Sequence, residues 1–161
     1  MKKIFLLDAY ALIYRAYYAF ISAPRINSKG RNTSAIMGFV NTLEEVIRKE
    51  KPDYLAVAFD PSGPTFRHEA YPAYKAQREA TPEDIKLSVP VIKQIIQAYH
   101  IPILEISGYE ADDVIGTVAR QAAAAGLDAY MMTPDKDYAQ LVAPHITMCR
   151  PARGGGGGAK R

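Results

Sequence analysis

The sequence predicts an α/β fold with a mainly parallel central sheet. Two observations carry this prediction: four short apolar segments have the character of buried strands, and stretches with helical periodicity separate them. Alternation of this kind is typical of a parallel sheet covered by helices, and 161 residues suit a single domain. The predicted strands are Ile4–Leu7, Tyr54–Phe59, Ile103–Ile106 and Ala129–Met132.

The helix before the second strand is predicted over Ala35–Lys49, with Thr33 or Ser34 as its N-cap. Its apolar residues recur at a spacing that places them on one face. These residues are Ile36, Phe39, Val40, Leu43, Val46 and Ile47.

Two further helices follow. One begins at Thr81-Pro82-Glu83-Asp84, where an N-cap precedes proline and two acids, and should run to about His100. We expect Pro90 to kink or split it, because proline cannot donate the helical hydrogen bond. The last, Glu110–Ala125, should end at Gly126 as its C-cap.

The bulk composition is that of an ordinary globular protein, with 48% hydrophobic and 23% charged residues. There is no apolar run long enough for a membrane helix, and the single Cys149 excludes an internal disulfide. We therefore expect a cytoplasmic protein. The net charge of +3 does not by itself indicate a nucleic-acid partner.

Two regions depart from the strand–helix pattern. Residues 61–80 are rich in proline, basic and aromatic residues without a clear period, which is typical of a functional loop. Residues 154–161 contain five consecutive glycines, counting from position 154, and are predicted to be a flexible linker or tail. The predicted core domain therefore covers residues 1–153.

Acidic residues follow the predicted strands at the ends that meet at one edge of a parallel sheet. Asp8 ends the first strand, Asp60 the second, and Asp135 and Asp137 follow the fourth. Three more acids open the helix after the third strand: Glu110, Asp112 and Asp113. Because ligands bind in the crevice at this edge, we expect the seven acids to converge there.

A cluster of carboxylates requires cations, since like charges repel and burying them unpaired is costly. All-oxygen ligands favour hard ions, Mg²⁺ or Mn²⁺, and one or two such ions can promote phosphodiester hydrolysis. Any single Asp after a strand can instead be a turn residue or a helix N-cap. Recurrence at several strand ends favours the metal site.

Several motifs resemble the 5′-nuclease family, the flap-cutting exonuclease domains found at the N-terminus of bacterial DNA polymerase I. The resemblance covers nearly everything from Lys3 to about Arg153, in family order. Its motifs are Leu7-Asp8-Ala9, Tyr14 to Phe20, Ala58-Phe59-Asp60, Phe66-Arg67-His68-Glu69, Tyr74-Lys75-Ala76-Gln77-Arg78, Thr81-Pro82-Glu83-Asp84, Gly108-Tyr109-Glu110-Ala111-Asp112-Asp113 and Thr133-Pro134-Asp135-Lys136-Asp137.

The resemblance implies a PIN-like core that uses divalent metal to cut the 5′ strand of DNA with flaps, nicks or free 5′ ends. It implies that the seven acids form the metal site. Segment 61–80 would be an arch that a free 5′ end threads through. The implied catalytic residues are Asp60, Lys75 and Arg78, and the implied DNA contacts are Arg15, Arg67, Tyr74, Lys75 and Arg78.

The family pattern continues into a helical segment that adds aspartates to the second metal, and its members are normally fused to a polymerase domain. Here the sequence passes into glycines, so impaired activity is expected. A monomer is expected as well. Two alternatives stay open. One is a PIN-type ribonuclease, and the other is a non-catalytic module that binds branched DNA.

Overall fold

The computed structural model describes residues 1–61 and 81–151. They form a five-stranded parallel sheet in the order β3-β2-β1-β4-β5, with helices packed on both faces. The predicted α/β class with a mainly parallel sheet is confirmed. The strands are β1 (Lys3–Asp8), β2 (Tyr54–Ala58), β3 (Ile103–Leu104), β4 (Asp128–Met132) and β5 (Ile146–Cys149).

Within the described ranges, four α-helices connect these strands, and no helix there is long and apolar enough to cross a membrane. A π-helical turn, Val46–Glu50, continues the second helix, and a 3₁₀ helix, Lys136–Leu141, joins β4 to β5. The α-helices are α1 (Ala9–Ala19), α2 (Ser34–Glu45), α3 (Glu83–Ala98) and α4 (Ala111–Ala124).

Both faces of β1 are covered, which explains its continuous apolar sequence. Phe5 and Leu7 pack into a core shared with α1, α2 and α3. Leu6 points to the opposite face and packs into a second core with α4 and the 3₁₀ helix. Helix α1 also packs closely on α2, where a Cβ at Gly38 would overlap that of Ala16. This packing fixes the helix that begins directly after Asp8.

The strand predictions are confirmed for β1, β2 and β4 within a residue at each end. The prediction for β3 was too long, since Ile103–Leu104 alone pairs with β2. Strand β5 was not predicted, although Ile146–Cys149 pairs in parallel along β4. Four residues between Pro144 and Pro151 carry too weak a pattern to stand out in the sequence.

Helix α3 corrects two predictions. It continues through Pro90 without splitting. The exposed proline cannot donate one helical hydrogen bond, but the buried residues on the opposite face of the helix stay packed in the core. Its N-cap is Pro82 rather than Thr81. The Thr81 hydroxyl instead accepts a hydrogen bond from the Tyr14 hydroxyl at 3.1 Å, which joins α3 to α1.

Helix α4 ends one residue earlier than predicted, and its C-cap is not the predicted Gly126. Its C-cap is Ala125, and Gly126 follows with φ of +90°, in the left-handed region that favours glycine. At α2 the N-cap is Thr33, but its hydroxyl donates to the Arg25 carbonyl at 2.9 Å instead of capping the helix. Of the predicted arch, 61–80, only Pro61 is among the described residues, and the predicted tail, 154–161, lies outside them as well.

Candidate metal centre

The carboxyl ends of the strands meet at one edge of the sheet, and the chain order reverses there. Strands β2 and β3 lie on one side of β1, whereas β4 and β5 lie on the other. A crevice at such a reversal is where α/β sheets bind ligands. Asp8 is the last residue of β1, Asp60 follows β2, and Asp135 follows β4. The fold therefore brings three of the predicted acids to this edge.

Asp8 is buried, with 7% of its surface exposed. It ends β1 and is the N-cap of α1, so its position is fixed by the strand and the helix together. One carboxylate oxygen, Oδ1, accepts a hydrogen bond from the Ala11 backbone at 3.4 Å. The other, Oδ2, accepts one from the Tyr138 hydroxyl at 2.8 Å.

Burial raises the pKa of the Asp8 carboxyl from 3.8 to about 6. The carboxylates of Asp60 and Asp112 raise the pKa further, while the hydrogen bonds from Tyr138 and Ala11 lower it. The carboxylates of Asp60 and Asp112 thus add negative charge around the buried Asp8. A cation at this position would favour the ionised carboxylate.

The start of α4 holds a second group of acids. The carboxylate oxygens of Glu110, Asp112 and Asp113 lie within 4.8 Å of one another. Glu110 is the buried N-cap of the helix, and its backbone N–H donates to Asp113 Oδ2 at 3.1 Å. The positive end of the helix dipole stabilises these acids, by about 0.3–1 kcal/mol each.

Asp60 connects the two groups of acids. Its Oδ1 accepts a hydrogen bond at 2.8 Å from the backbone N–H of Ala111, the first residue of α4. The end of β2 is thereby tied to the start of α4. The structure thus brings together five of the seven predicted acids: Asp8, Asp60, Glu110, Asp112 and Asp113.

Asp135 and Asp137 lie on the turn after β4 and are exposed. Asp135 is the N-cap of the 3₁₀ helix, and its Oδ1 accepts from the Asp137 backbone at 2.9 Å. They are not in the close group at the start of α4. Their role as metal ligands stays a prediction.

Tyr138 contacts the acidic cluster but was not among the residues predicted from the sequence. It is 2% exposed, and its ring packs into the core on the α4 side of the sheet. Burial and then the Asp8 carboxylate raise the pKa of Tyr138 far above its usual range, so its hydroxyl stays protonated and donates to Asp8. A tyrosine in a polar turn carries no sequence signal for such a contact.

The predicted basic residues divide into two groups. Arg15 is half-buried on α1, and its Nη2 donates to the Pro151 carbonyl at 3.4 Å, just beyond β5. It therefore lies near the carboxyl edge, and its DNA contact stays a prediction. The other predicted basic and aromatic residues lie outside the described ranges: Arg67, Tyr74, Lys75 and Arg78.

The donor set fits a hard divalent cation. The converging side chains offer carboxylate oxygens, which Mg²⁺ and Mn²⁺ prefer over the nitrogen and sulfur ligands typical of Zn²⁺. The buried Asp8 beside other acids is also the arrangement that a cation would stabilise. A groove of about 670 Å³ opens beside the cluster, lined in part by Tyr109, Asp112 and Asp113.

The chain is similar to known nuclease sequences. The model of the 5′-3′ exonuclease, N-terminal resolvase-like domain matches residues 3–158. The chain is 41% identical over 151 residues to a 5′-3′ exonuclease of Aquifex aeolicus, covering 94% of this chain and 52% of that protein. It is 47% identical over 141 residues to DNA polymerase I of Chloroflexus aurantiacus, covering 88% of this chain and 15% of that protein.

The fold is similar to that of the T5 5′-exonuclease with divalent zinc ions bound. The TM-score is 0.70 at 18% identity, and the match covers 92% of this chain and 55% of that one. At this identity the likeness shows the fold alone. The chain spans about half the length of the Aquifex exonuclease, at 52%, and a much smaller share of the polymerases.

Proposed function

Because the chain belongs to the 5′-3′ exonuclease N-terminal resolvase-like domain family, we propose that it is a divalent-metal-dependent nuclease core. Its reaction is the hydrolysis of DNA phosphodiester bonds at 5′ ends and branches. The observation that carries the proposal is the convergence of five acids at the carboxyl edge, one of them the buried Asp8. Clustered acids of this kind suit phosphoryl chemistry, in which charge must be neutralised.

The residues that would hold the cation come from three elements: the end of β1, the segment after β2 and the start of α4. We assign this role to Asp8, Asp60, Glu110, Asp112 and Asp113, and extend it to Asp135 and Asp137 in the turn after β4. When bound, the cation would neutralise charge on the phosphate and make water a better nucleophile. The hydrogen bonds from Ala11, Ala111 and Tyr138 hold Asp8 and Asp60 in place.

The substrate contacts in the proposal come from basic and aromatic residues. Lys75 and Arg78 would stabilise charge that develops on the scissile phosphate, with Asp60 as the third catalytic residue. Tyr74 would stack on an unpaired base, and Arg15 and Arg67 would contact the DNA backbone. These contacts are supported by family membership and the composition of segment 61–80.

The cofactor in this proposal is Mg²⁺ or Mn²⁺, as one or two ions. The partner is DNA with 5′ flaps, nicks or free 5′ ends, handled by a monomer in the cytoplasm. The polymerase relatives support a role in replication and repair, because the chain matches a part of DNA polymerase I from other bacteria. The domain itself would cover residues 1–153, with an arch at about 61–80.

The test compares three labelled substrates: a 5′-flap duplex, an unbranched duplex and a single-stranded RNA, each with Mn²⁺ or with chelator. We expect slow Mn²⁺-dependent cutting of the flap near its junction, in keeping with the impaired activity expected from the sequence. Asp113→Asn is the matched control, because asparagine can still accept the hydrogen bond from the Glu110 backbone while removing the charge. Calorimetry measures Mn²⁺ binding by both proteins.

The outcomes separate the proposal from its rivals. Preferential cutting of the RNA would favour a PIN-type ribonuclease. Flap binding that is independent of metal and unchanged by Asp113→Asn, without Mn²⁺ binding in calorimetry, would favour a non-catalytic module and contradict the metal centre.

A further inference from the structure

The Tyr138 hydroxyl is a buried polar group that neither the predicted metal ligands nor the predicted DNA contacts include. It donates to Asp8 Oδ2 at 2.8 Å across 130 residues of sequence. Tyr138 follows β4 and Asp8 ends β1, and these neighbouring strands flank the point where the strand order reverses. The bond therefore joins the two sides of the crevice.

We propose that Tyr138 is a positioning residue for the metal centre: its hydroxyl orients the Asp8 carboxylate toward the cation and holds the acidic turn after β4 against β1. The inference rests on the proposed function, since it assigns Asp8 to the cation. It adds a residue that contacts no substrate and acts through a ligand.

The geometry leaves Asp8 able to bind a cation. A carboxylate offers about four lone-pair positions, and the bonds from Ala11 and Tyr138 use two of them. A hydrogen bond to an ionised carboxylate is among the stronger kinds and favours the charged form, which is the form that ligates a metal. Tyr138 thus holds the Asp8 carboxylate in place and leaves lone pairs on it for the cation.

The Tyr138 ring keeps its hydroxyl in one place. It is buried in the core that includes Leu6, Ala111 and Ile115, so the side chain cannot swing toward solvent. Outer hydrogen-bond partners of this type orient metal ligands in proteins, and their loss typically weakens metal affinity by about 10–100-fold.

The same residue fixes the acidic turn. The backbone N–H of Tyr138 donates to the Asp135 carbonyl at 3.2 Å, and the Asp137 N–H donates to Asp135 Oδ1 at 2.9 Å. The turn is therefore a compact unit whose distance from Asp8 is set by the Tyr138 side chain. Loss of the hydroxyl would free the turn as well as the carboxylate.

The experiment uses the isosteric variant Tyr138→Phe, which keeps the ring and removes only the hydroxyl. We expect the Mn²⁺ affinity measured by calorimetry to fall about tenfold or more. Tyr14→Phe is the matched control, because it removes a tyrosine hydroxyl bonded to the neutral Thr81 at 3.1 Å. Its Mn²⁺ affinity should equal that of the wild type. Circular dichroism verifies that both variants are folded.

A spectroscopic measurement separates positioning from general stability. At saturating Mn²⁺, the electron paramagnetic resonance spectrum of the bound ion should change in Tyr138→Phe and stay the same in Tyr14→Phe. Wild-type affinity and spectrum in Tyr138→Phe would overturn the inference. Asp8→Asn tests the proposed function separately: if it keeps wild-type Mn²⁺ affinity, the metal centre is wrong, whatever Tyr138 does.

Discussion

The two edges of the sheet use aspartate in different ways. At the amino edge, Asp53 accepts a hydrogen bond from the Lys3 backbone at 2.8 Å, and Asp128 pairs with His145 at 2.9 Å. At the carboxyl edge, Asp8 is buried and lies under the influence of the Asp60 and Asp112 carboxylates. The same residue type thus joins distant segments of the chain at one edge and accumulates negative charge at the other.

This difference shows that charged acids are unfavourable for stability at the carboxyl edge and not at the amino edge. Asp53 is exposed, Asp128 is partly exposed, and each has a hydrogen-bond donor of its own, so their charge costs little. Asp8 lies in a site where burial and neighbouring negative charges make ionisation of its carboxyl unfavourable. Such an arrangement suits a site that is completed by a cation.

The largest contrast should be in catalysis. Asp8→Asn or Asp113→Asn should lower Mn²⁺-dependent flap cleavage by roughly 10²–10³-fold or more, because the cation supplies much of the charge stabilisation. Asp53→Asn makes the same chemical change at the amino edge and should leave the rate within about twofold. Single-turnover cleavage of the labelled flap gives the rates. Equal losses at both edges would mean that the substitutions act through the fold.

The next contrast is in pH dependence. Folding raises the pKa of the Asp8 carboxyl from 3.8 to about 6, so its ionisation is less favourable in the folded state than in the unfolded chain. The contribution of Asp8 to the free energy of unfolding is therefore highest below about pH 4 and is lost as the pH rises through 6. This shift in the pKa of Asp8 between the unfolded and folded states corresponds to about 3 kcal/mol of unfolding free energy.

Urea denaturation of the metal-free protein at pH 5 and pH 7.5 measures this effect. Asp8→Asn should be more stable than the wild type at pH 7.5, and its advantage should shrink at pH 5. Asparagine keeps N-cap capability, so the helix start is retained. An advantage that does not change with pH would show that Asp8 is not the titrating group.

Metal binding should offset the unfavourable ionisation of the buried Asp8 carboxyl. At a free Mn²⁺ concentration of about 100 times the dissociation constant, the folded state gains about 2.7 kcal/mol. The increase in melting temperature should be larger at pH 7.5 than at pH 5, because the cation competes with protons for the carboxylates. Thermal scans with Mn²⁺ and with chelator measure the increase. An equal increase in Asp8→Asn would place the ion elsewhere.

The smallest effect is expected from the contact between Asp128 and His145 at the amino edge. Asp128→Asn removes the partly exposed pair with His145 and should lower the unfolding free energy by about 0–1 kcal/mol. Mn²⁺ affinity should be unchanged in the same protein. Calorimetry and urea denaturation measure the two quantities, and a loss of Mn²⁺ affinity would contradict the separation of the edges.

Much of the fold could be predicted because its cores impose clear patterns. The buried runs of β1, β2 and β4, and the apolar face of α2, follow from burial alone. Strand β5 could not be predicted, because a four-residue edge strand is defined by its pairing with β4 rather than by its own sequence. The tolerance of α3 for Pro90 likewise depends on tertiary packing.

Part of the site could be predicted because parallel strands place their carboxyl ends at the same edge of the sheet. Asp8 and Asp60 could be assigned to one edge from strand order, and the acids opening α4 from their place at a helix start. The Tyr138 contact could not, because it depends on how the turn after β4 folds back across β1. Turn conformation depends on local hydrogen bonds, such as those around Asp135, which periodicity does not reveal.

The central claim is that the clustered carboxylates at the carboxyl edge bind a hard divalent cation. Crystals of the protein soaked in Mn²⁺ and measured at an energy with strong manganese anomalous scattering test it directly. We expect an anomalous peak in contact with the carboxylate of Asp8 and with acids at the start of α4. No peak there, or a peak only beside the acids of the amino edge, would contradict the claim.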